Sequence, residues 1–290
     1  MTFNKLRLFV QLSRPLFLLG AMLFYALGVS MARYLGTDID WGLYGLGQIW
    51  VTLMQLSAQY LNEYFDAPQD MSHTNRTFFS GGSGAIGTGK LSRNVPLIAA
   101  AVTLTLAASS TVVLLQRAPT SPLLILLLVL IAFGAIFYSV PPIRLATTGY
   151  GELMTSFLVA NLVPALAFVL QNGEYHRILA MSTFPLTALF LAMMLVFEFP
   201  DYANDLKHEK RTLLVRLGWQ RGMTLHNLSI LSAFLILGLA VFSGLPASIA
   251  LPVFIPLPLG LLQIWQMRHI AAGGKPNWHS LGISAIVLTM

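Results

Sequence analysis

The apolar run LYGLGQIWVTLMQLSAQYL, residues 43–61, passes directly into Asn62-Glu63-Tyr64-Phe65-Asp66-Ala67-Pro68-Gln69-Asp70. A run of that length is close to the ~20 residues a helix needs to cross a bilayer core, so the stretch reads as a membrane-spanning helix that ends in acid. A second stretch has the same form, an apolar run over 183–200 followed by Asp201-Tyr202-Ala203-Asn204-Asp205-Leu206-Lys207-His208-Glu209. Of the 11 Asp and Glu residues, Glu63, Asp66, Asp70, Glu198, Asp201, Asp205 and Glu209 lie in or beside these two stretches, leaving only Asp38, Asp40, Glu152 and Glu174 elsewhere. Carboxylates concentrated at the rim of a membrane protein point to bound cations.

The composition of the whole chain agrees with the reading of its parts. Hydrophobic residues make up 56% of 290, charged residues 10%, and the mean hydropathy is +0.72, a balance foreign to soluble domains. The sequence predicts an all-α, polytopic transmembrane bundle of about nine helices forming a single domain over residues 1–290. The spans fall near 16–34, 43–61, 95–115, 122–140, 151–170, 183–200, 223–243, 245–266 and 279 to the end, with the acidic motifs closing the second and the sixth. The last run is too short to cross alone, which implies a partial helix or a chain that continues.

Basic residues orient the bundle. With the N-terminus inside, the inner segments hold Lys5, Arg7, Arg14, Arg76, Lys90, Arg93, Arg144, Lys207, Lys210, Arg211, Arg216, Arg221, Arg268 and Lys275, and the outer ones only Arg33, Arg117 and Arg177, a 14 to 3 split. That asymmetry predicts a multi-pass protein with its N-terminus and both acidic motifs cytoplasmic. The net charge of +6 is thereby explained by topology, and no nucleic-acid partner is expected. The basic start runs through Arg14 and Pro15 into a full-length span with no small-residue cleavage site, so no cleavable signal peptide is expected. With 0 cysteines, thiolate chemistry and disulfides are excluded, and the 6 histidines show no metal-ligand spacing.

Within each motif the spacing is i, i+4, i+8. On a helix such residues drift only ~40° per step, so Asn62, Asp66 and Asp70, and likewise Asp201, Asp205 and Glu209, form rows of oxygen ligands. Like charges so spaced repel and ask for a compensating cation; oxygen-only ligation suits magnesium. Pro68 is placed to bend or end the first helix before Asp70. One acidic triplet is commonly a solvated rim, but two, each followed by a basic loop, favour metal binding. Magnesium commonly arrives with a phosphate, and Arg76, Lys90, Arg144, Lys207, Lys210 and Arg211 supply the cations a diphosphate would need. The loop after the first motif carries Gly81, Gly82, Gly84, Gly87 and Gly89 before Lys90, a backbone able to approach an anion closely, though without phosphate-loop spacing.

The chain resembles the UbiA superfamily of intramembrane prenyltransferases, whose two aspartate-rich motifs bind a magnesium-complexed isoprenyl diphosphate. The resemblance rests on Gln59 to Asp70 with Arg76 downstream, Gly89-Lys90-Leu91-Ser92, Tyr138-Ser139-Val140-Pro141-Pro142-Ile143-Arg144-Leu145, and Asp201 to Gly218. Within the superfamily, Gly149-Tyr150-Gly151-Glu152-Leu153 and Lys210-Arg211-Thr212-Leu213 look most like the branch that prenylates 1,4-dihydroxy-2-naphthoate, with loss of its carboxylate, for menaquinone. Glu63 departs from the aspartate usual at its place, and Glu209 from the glycine of the naphthoate branch. The resemblance implies Mg2+ as cofactor, held by Asp66, Asp70, Asp201 and Asp205 with Asn62 as a neutral ligand, and a prenyl diphosphate donor gripped by Arg144 and Lys210. It also implies an aromatic acceptor, with Tyr138 steadying the allylic cation and Glu152 orienting the acceptor or taking its proton. The alternatives are another activity of the superfamily, such as hydroxybenzoate prenylation or terpene cyclisation, and a secondary transporter, which would put charge near mid-bilayer rather than at one rim. Asn161 reads first as an interhelical hydrogen-bond donor, and Phe190, Met193, Met194 and Phe197 as core, with an isoprenoid tunnel as the functional reading.

Overall fold

The computed structural model describes residues 3–71, 77, 79–87 and 90–290, and among these the regular secondary structure is helical apart from one bridge between Ile86 and Leu91. In chain order the helices are α1 (Phe3–Leu12), α2 (Pro15–Tyr34), α3 (Trp41–Met71), α4 (Asn94–Arg117), α5 (Pro122–Phe137), α6 (Gly151–Phe157), α7 (Val163–Asn172), α8 (Arg177–Glu198), α9 (Tyr202–Lys207), α10 (Leu213–Leu217), α11 (Trp219–Phe242), α12 (Ala247–Phe254), α13 (Leu257–Ala271) and α14 (Trp278–Thr289). Among the described residues, 6 helical stretches are long and apolar enough to cross a membrane: Pro15–Tyr34, Asn94–Arg117, Gly151–Asn172, Arg177–Lys207, Trp219–Phe242 and Ala247–Ala271. The more polar α3 and the shorter α5 and α14 accompany them. The protein is an integral, multi-pass, all-helical membrane protein.

Two expectations are corrected. Pro68 does not end its helix, since α3 continues to Met71. A proline lacks the N–H that would bond the carbonyl four residues back, here that of Tyr64, and Arg93 supplies a substitute: its Nη2 reaches the Tyr64 carbonyl at 3.5 Å while its guanidinium lies over the Tyr64 ring, 5.0 Å from the centroid. The second motif, by contrast, is not one continuous helix. Pro200 coincides with a 3-10 turn over Phe199–Asp201, and α9 ends at Lys207. Sequence reading also missed α1, an amphipathic helix with Phe3, Leu6 and Val10 exposed and Leu12 buried.

Contacts divide the chain into two compact units. The first contains α1 to α5, α7 and the described residues of 81–91. In it α3 and α4 are joined by buried polar pairs, Ser57 Oγ to Thr103 Oγ1 at 2.8 Å and Trp50 Nε1 to Thr111 Oγ1 at 2.7 Å, the bonds expected where no water competes. Gly28 lets α2 approach α7 so closely that a Cβ would stand 2.1 Å from the Pro164 carbonyl oxygen. A core of Leu12, Tyr60, Leu61, Ala67, Ala85, Ile86, Leu91 and Ala100 seats α1 and the glycine-rich loop against α3 and α4.

The second unit contains α6 and α8 to α14. A π-helical segment, Leu158–Leu162, follows α6; its Asn161 donates to Thr183 Oγ1 of α8 at 3.0 Å, the interhelical bond read from sequence. His226 of α11 faces Gln263 of α13, both fully enclosed, at 3.3 Å. Beside the second acidic motif Phe199 stacks on Trp278, with centroids 5.6 Å apart and planes 7° from parallel, and meets Trp219 edge-on, fixing the 3-10 turn against α11 and α14.

Candidate active site

Because α3 runs unbroken to Met71, the first row survives as a helical face. Asp66 is 4% exposed, and Asn62 donates through Nδ2 both to Asp66 Oδ2 at 3.0 Å and to Ser139 Oγ at 3.3 Å. Both bonds use the nitrogen of the Asn62 amide, leaving its oxygen to ligate. On the other side of Asp66, Arg144 Nη2 lies 3.5 Å from Oδ1. Arg144 is held at φ 41, in the left-handed region a non-glycine residue seldom adopts, and such residues concentrate at functional sites. Tyr138, the last residue before Ser139, thus sits in the segment that contacts Asn62. Ser139 entered the sequence reading only as part of the run from Tyr138 to Leu145, with no role of its own.

The glycine-rich loop meets this row at Asp70. Gly82 has φ 73, and a Cβ there would fall 2.2 Å from Asp70 Oδ2, so only glycine brings this backbone against the carboxylate. Lys90 Nζ donates to the Gly84 carbonyl at 2.7 Å, which ties this cation to the loop itself. Arg76, expected on the same loop, lies outside the described residues.

In the second unit Asp201 closes the 3-10 turn and Asp205 is buried, 4% exposed, on α9. Glu209 does not extend the row. It lies past the helix end, exposed, with φ 54, because α9 stops at Lys207 and the chain turns back through a bond from Lys210 N to the Asp205 carbonyl, 2.9 Å. Lys207 and Arg211 are exposed and Lys210 half-buried.

The two stretches singled out for acceptor identity come together here. Glu152, 2% exposed, accepts the Leu213 N–H on Oε1 at 2.5 Å; Arg216 lies over the Tyr150 ring at 5.5 Å; and a Cβ on Gly149 would meet the Arg216 side chain at 2.4 Å. The Glu152 and Glu198 carboxyls, each with a buried Oε2, lie within hydrogen-bonding reach of each other, and Glu198 also feels Asp205 and Lys210. Phe190, Met193 and Phe197 are buried in the second unit, and Phe197 stacks on Phe79 at 5.1 Å.

Among the described residues no three His, Asp or Glu side chains are gathered closely enough to hold a cation alone. Within the first unit the Asn62 amide oxygen and the Asp66 and Asp70 carboxylates, and within the second the Asp201 and Asp205 carboxylates, are oxygen donors of the kind that suit a hard cation such as magnesium.

Fold and site together define a multi-pass helical membrane protein with paired acidic motifs at helix ends. It belongs to the UbiA prenyltransferase family, whose model matches residues 21–284. Its fold is similar to that of a UbiA homolog from Archaeoglobus fulgidus solved bound to GPP and Mg2+, with a TM-score of 0.71 and 16% identity over 97% of this chain and 96% of that one. It is also similar to an apo UbiA homolog from Aeropyrum pernix K1, with a TM-score of 0.64 and 13% identity over 94% of both chains. A structure of digeranylgeranylglyceryl phosphate synthase matches with a TM-score of 0.65 and 15% identity over 99% of this chain and 94% of that one. No curated protein matches by sequence.

Proposed function

We propose that this protein transfers an isoprenyl group from a prenyl diphosphate to an aromatic acceptor, 1,4-dihydroxy-2-naphthoate, with both compact units acting as one catalytic domain whose acidic motifs face the cytoplasm. The observation that carries the reading is that each unit buries a motif aspartate on a segment that also carries a cation, Asp66 beside Arg144 and Asp205 on the turn that returns through Lys210, whose N–H bonds the Asp205 carbonyl at 2.9 Å. Acid alone would suit a metal and base alone an anion; the two together suit a metal-bound diphosphate. The similar UbiA homolog from Archaeoglobus fulgidus, solved bound to GPP and Mg2+, supports the same reading.

In this reading Asn62, Asp66, Asp70, Asp201 and Asp205 hold magnesium, which when bound neutralises charge on the departing diphosphate. Arg144 and Lys210 grip the diphosphate oxygens, with Arg76, Lys90, Lys207 and Arg211 adding positive charge at the mouth. Glu209, exposed beyond the helix, plays at most an outer part. As the donor C–O bond breaks, Tyr138 offers a ring face to the allylic cation, and the apolar helices exclude water that would quench it. A ring carbon of the acceptor forms the new C–C bond, losing its carboxylate as carbon dioxide. The Glu152 carboxyl, beside that of Glu198, is the group offered to an acceptor hydroxyl; support for this comes from its burial and from the tie of Oε1 to Leu213, which orients it.

The test is product analysis by mass spectrometry with labelled prenyl diphosphates and a panel of acceptors. The naphthoate is expected to be prenylated faster than 4-hydroxybenzoate at equal donor. The reverse order would move the protein to another acceptor, and no diphosphate release with any acceptor would remove the enzymatic reading.

A further inference from the structure

Glu63 stands inside the first acidic motif, yet its oxygens face away from the ligand role. It is 3% exposed; Oε1 accepts from Arg14 Nη2 and, at 2.6 Å, from Ser83 N, and Oε2 accepts from Ser83 Oγ at 2.8 Å. Ser83 is held from a third side, its carbonyl accepting from Gln11 Nε2 of α1 at 2.6 Å. Arg14, between α1 and α2, has φ 42 and is followed by Pro15, a setting that disfavours helical backbone in the residue before it, so its strained geometry is sustained by what its guanidinium holds. On the far side of Ser83 lie Gly82, pressed on Asp70, and Gly84, whose carbonyl holds Lys90. Ala85, Ile86 and Leu91 then pack with Leu12 of α1.

We infer that Glu63, Arg14 and Ser83 form a latch that positions the glycine-rich loop against Asp70 and Lys90, so that Glu63 is a positioning residue for the diphosphate end of the donor and not a metal ligand. The inference rests on the prenyl-transfer reading for the donor's identity but not for the latch itself. A carboxylate accepting three hydrogen bonds, one from a guanidinium, has three of its about four lone-pair sites employed and its charge already compensated, which suits bracing better than ligation. The length of the glutamate side chain is what lets a residue on α3 reach across to both Arg14 and the loop. Through Gln11 the same contact ties α1, with its exposed apolar stripe of Phe3, Leu6 and Val10, to the loop.

The experiment has one arm independent of activity and one that reads it. The chain has no cysteine, and Ala85, 0% exposed in the latched loop, accepts the substitution Ala85→Cys with little added volume. With Glu63 intact the thiol at position 85 is expected to resist a soluble thiol reagent. Glu63→Gln, which loses the charge-assisted bond to Arg14, is expected to raise its labelling rate about tenfold, and the milder Ser83→Ala, which keeps the backbone bond to Glu63, about threefold. In the cysteine-free background the same two variants are expected to raise KM for the prenyl diphosphate by similar factors, with kcat and the acceptor KM little changed. Unaltered protection of the introduced thiol in both variants overturns the latch. So does a loss of folded protein or of kcat with donor KM unmoved, which would make Glu63 a packing residue. If the parent protein shows no transferase activity while Glu63→Gln still exposes the thiol at position 85, the latch stands and the functional reading falls.

Discussion

Asp66 and Asp205 are the motif aspartates that folding withdraws most fully from solvent, and neither is left alone: Asn62 and Arg144 touch the first, and Lys210 follows the second after one turn. Exchanging a carboxylate for an amide preserves shape and removes the charge that attracts magnesium. Asp66→Asn and Asp201→Asn are each expected to lower turnover by at least ~100-fold, in the range seen when a charge-stabilising group is lost; near-normal steady-state rates for either, or for the parent in chelator, would dismiss the metal assignment. Glu152 gives a second residue-scale test. Glutamine can still accept the Leu213 N–H through its amide oxygen but offers a donor where Oε2 stands, so Glu152→Gln is expected to cut kcat with the naphthoate while leaving donor affinity, measured by calorimetry, nearly unchanged. The first acid row was legible in the sequence because i, i+4 spacing is a local property, whereas the second breaks at the 3-10 turn and loses Glu209 past the end of α9. Ser139, the pairing of Glu152 with Leu213 and the diversion of Glu63 to Ser83 were not legible, since each joins residues from 20 to 77 positions apart.

At the scale of elements, the two proline-bearing helix ends diverge for a physical reason that can be measured. The carbonyl left without a partner by Pro68 is met by Arg93, so α3 carries its row through to Asp70, whereas the chain at Pro200 tightens into a 3-10 turn. Arg93→Ala is expected to lower stability by about 1 kcal/mol, the net value of such a bond, read as a fall in thermal midpoint in detergent. In a Pro68→Ala background, where the backbone N–H returns, the same change is expected to have little effect, the coupling a double-mutant cycle isolates. Equal effects in both backgrounds would refute the role given to Arg93. The loop offers a companion case: Gly82→Ala forces a side chain into a left-handed backbone against Asp70, a cost of about 1–3 kcal/mol, and activity is expected to fall with it.

For the whole molecule the outstanding expectation is orientation, drawn from the 14 to 3 split of basic residues. Arg33 and Lys275 are both exposed, and the single substitutions Arg33→Cys and Lys275→Cys in intact cells decide it. The thiol at position 33 is expected to react with an impermeant reagent from outside, the one at position 275 only after permeabilisation, and the opposite pattern would invert the topology. The sequence by itself determined the class of protein, a helical multi-pass membrane protein, and the existence of two acidic stretches, because hydrophobic length and residue spacing are written along the chain. It did not determine where helices end at proline, which acids take hydrogen bonds from distant segments, or that α1 exists, its ten residues being too few to announce a span. Those outcomes were decided by tertiary structure, because they depend on partners brought from distant segments: Arg93 for the Tyr64 carbonyl, Ser83 and Arg14 for Glu63, and Leu213 for Glu152. A residue's type and spacing state what it can offer; burial and the neighbour it meets state what it does.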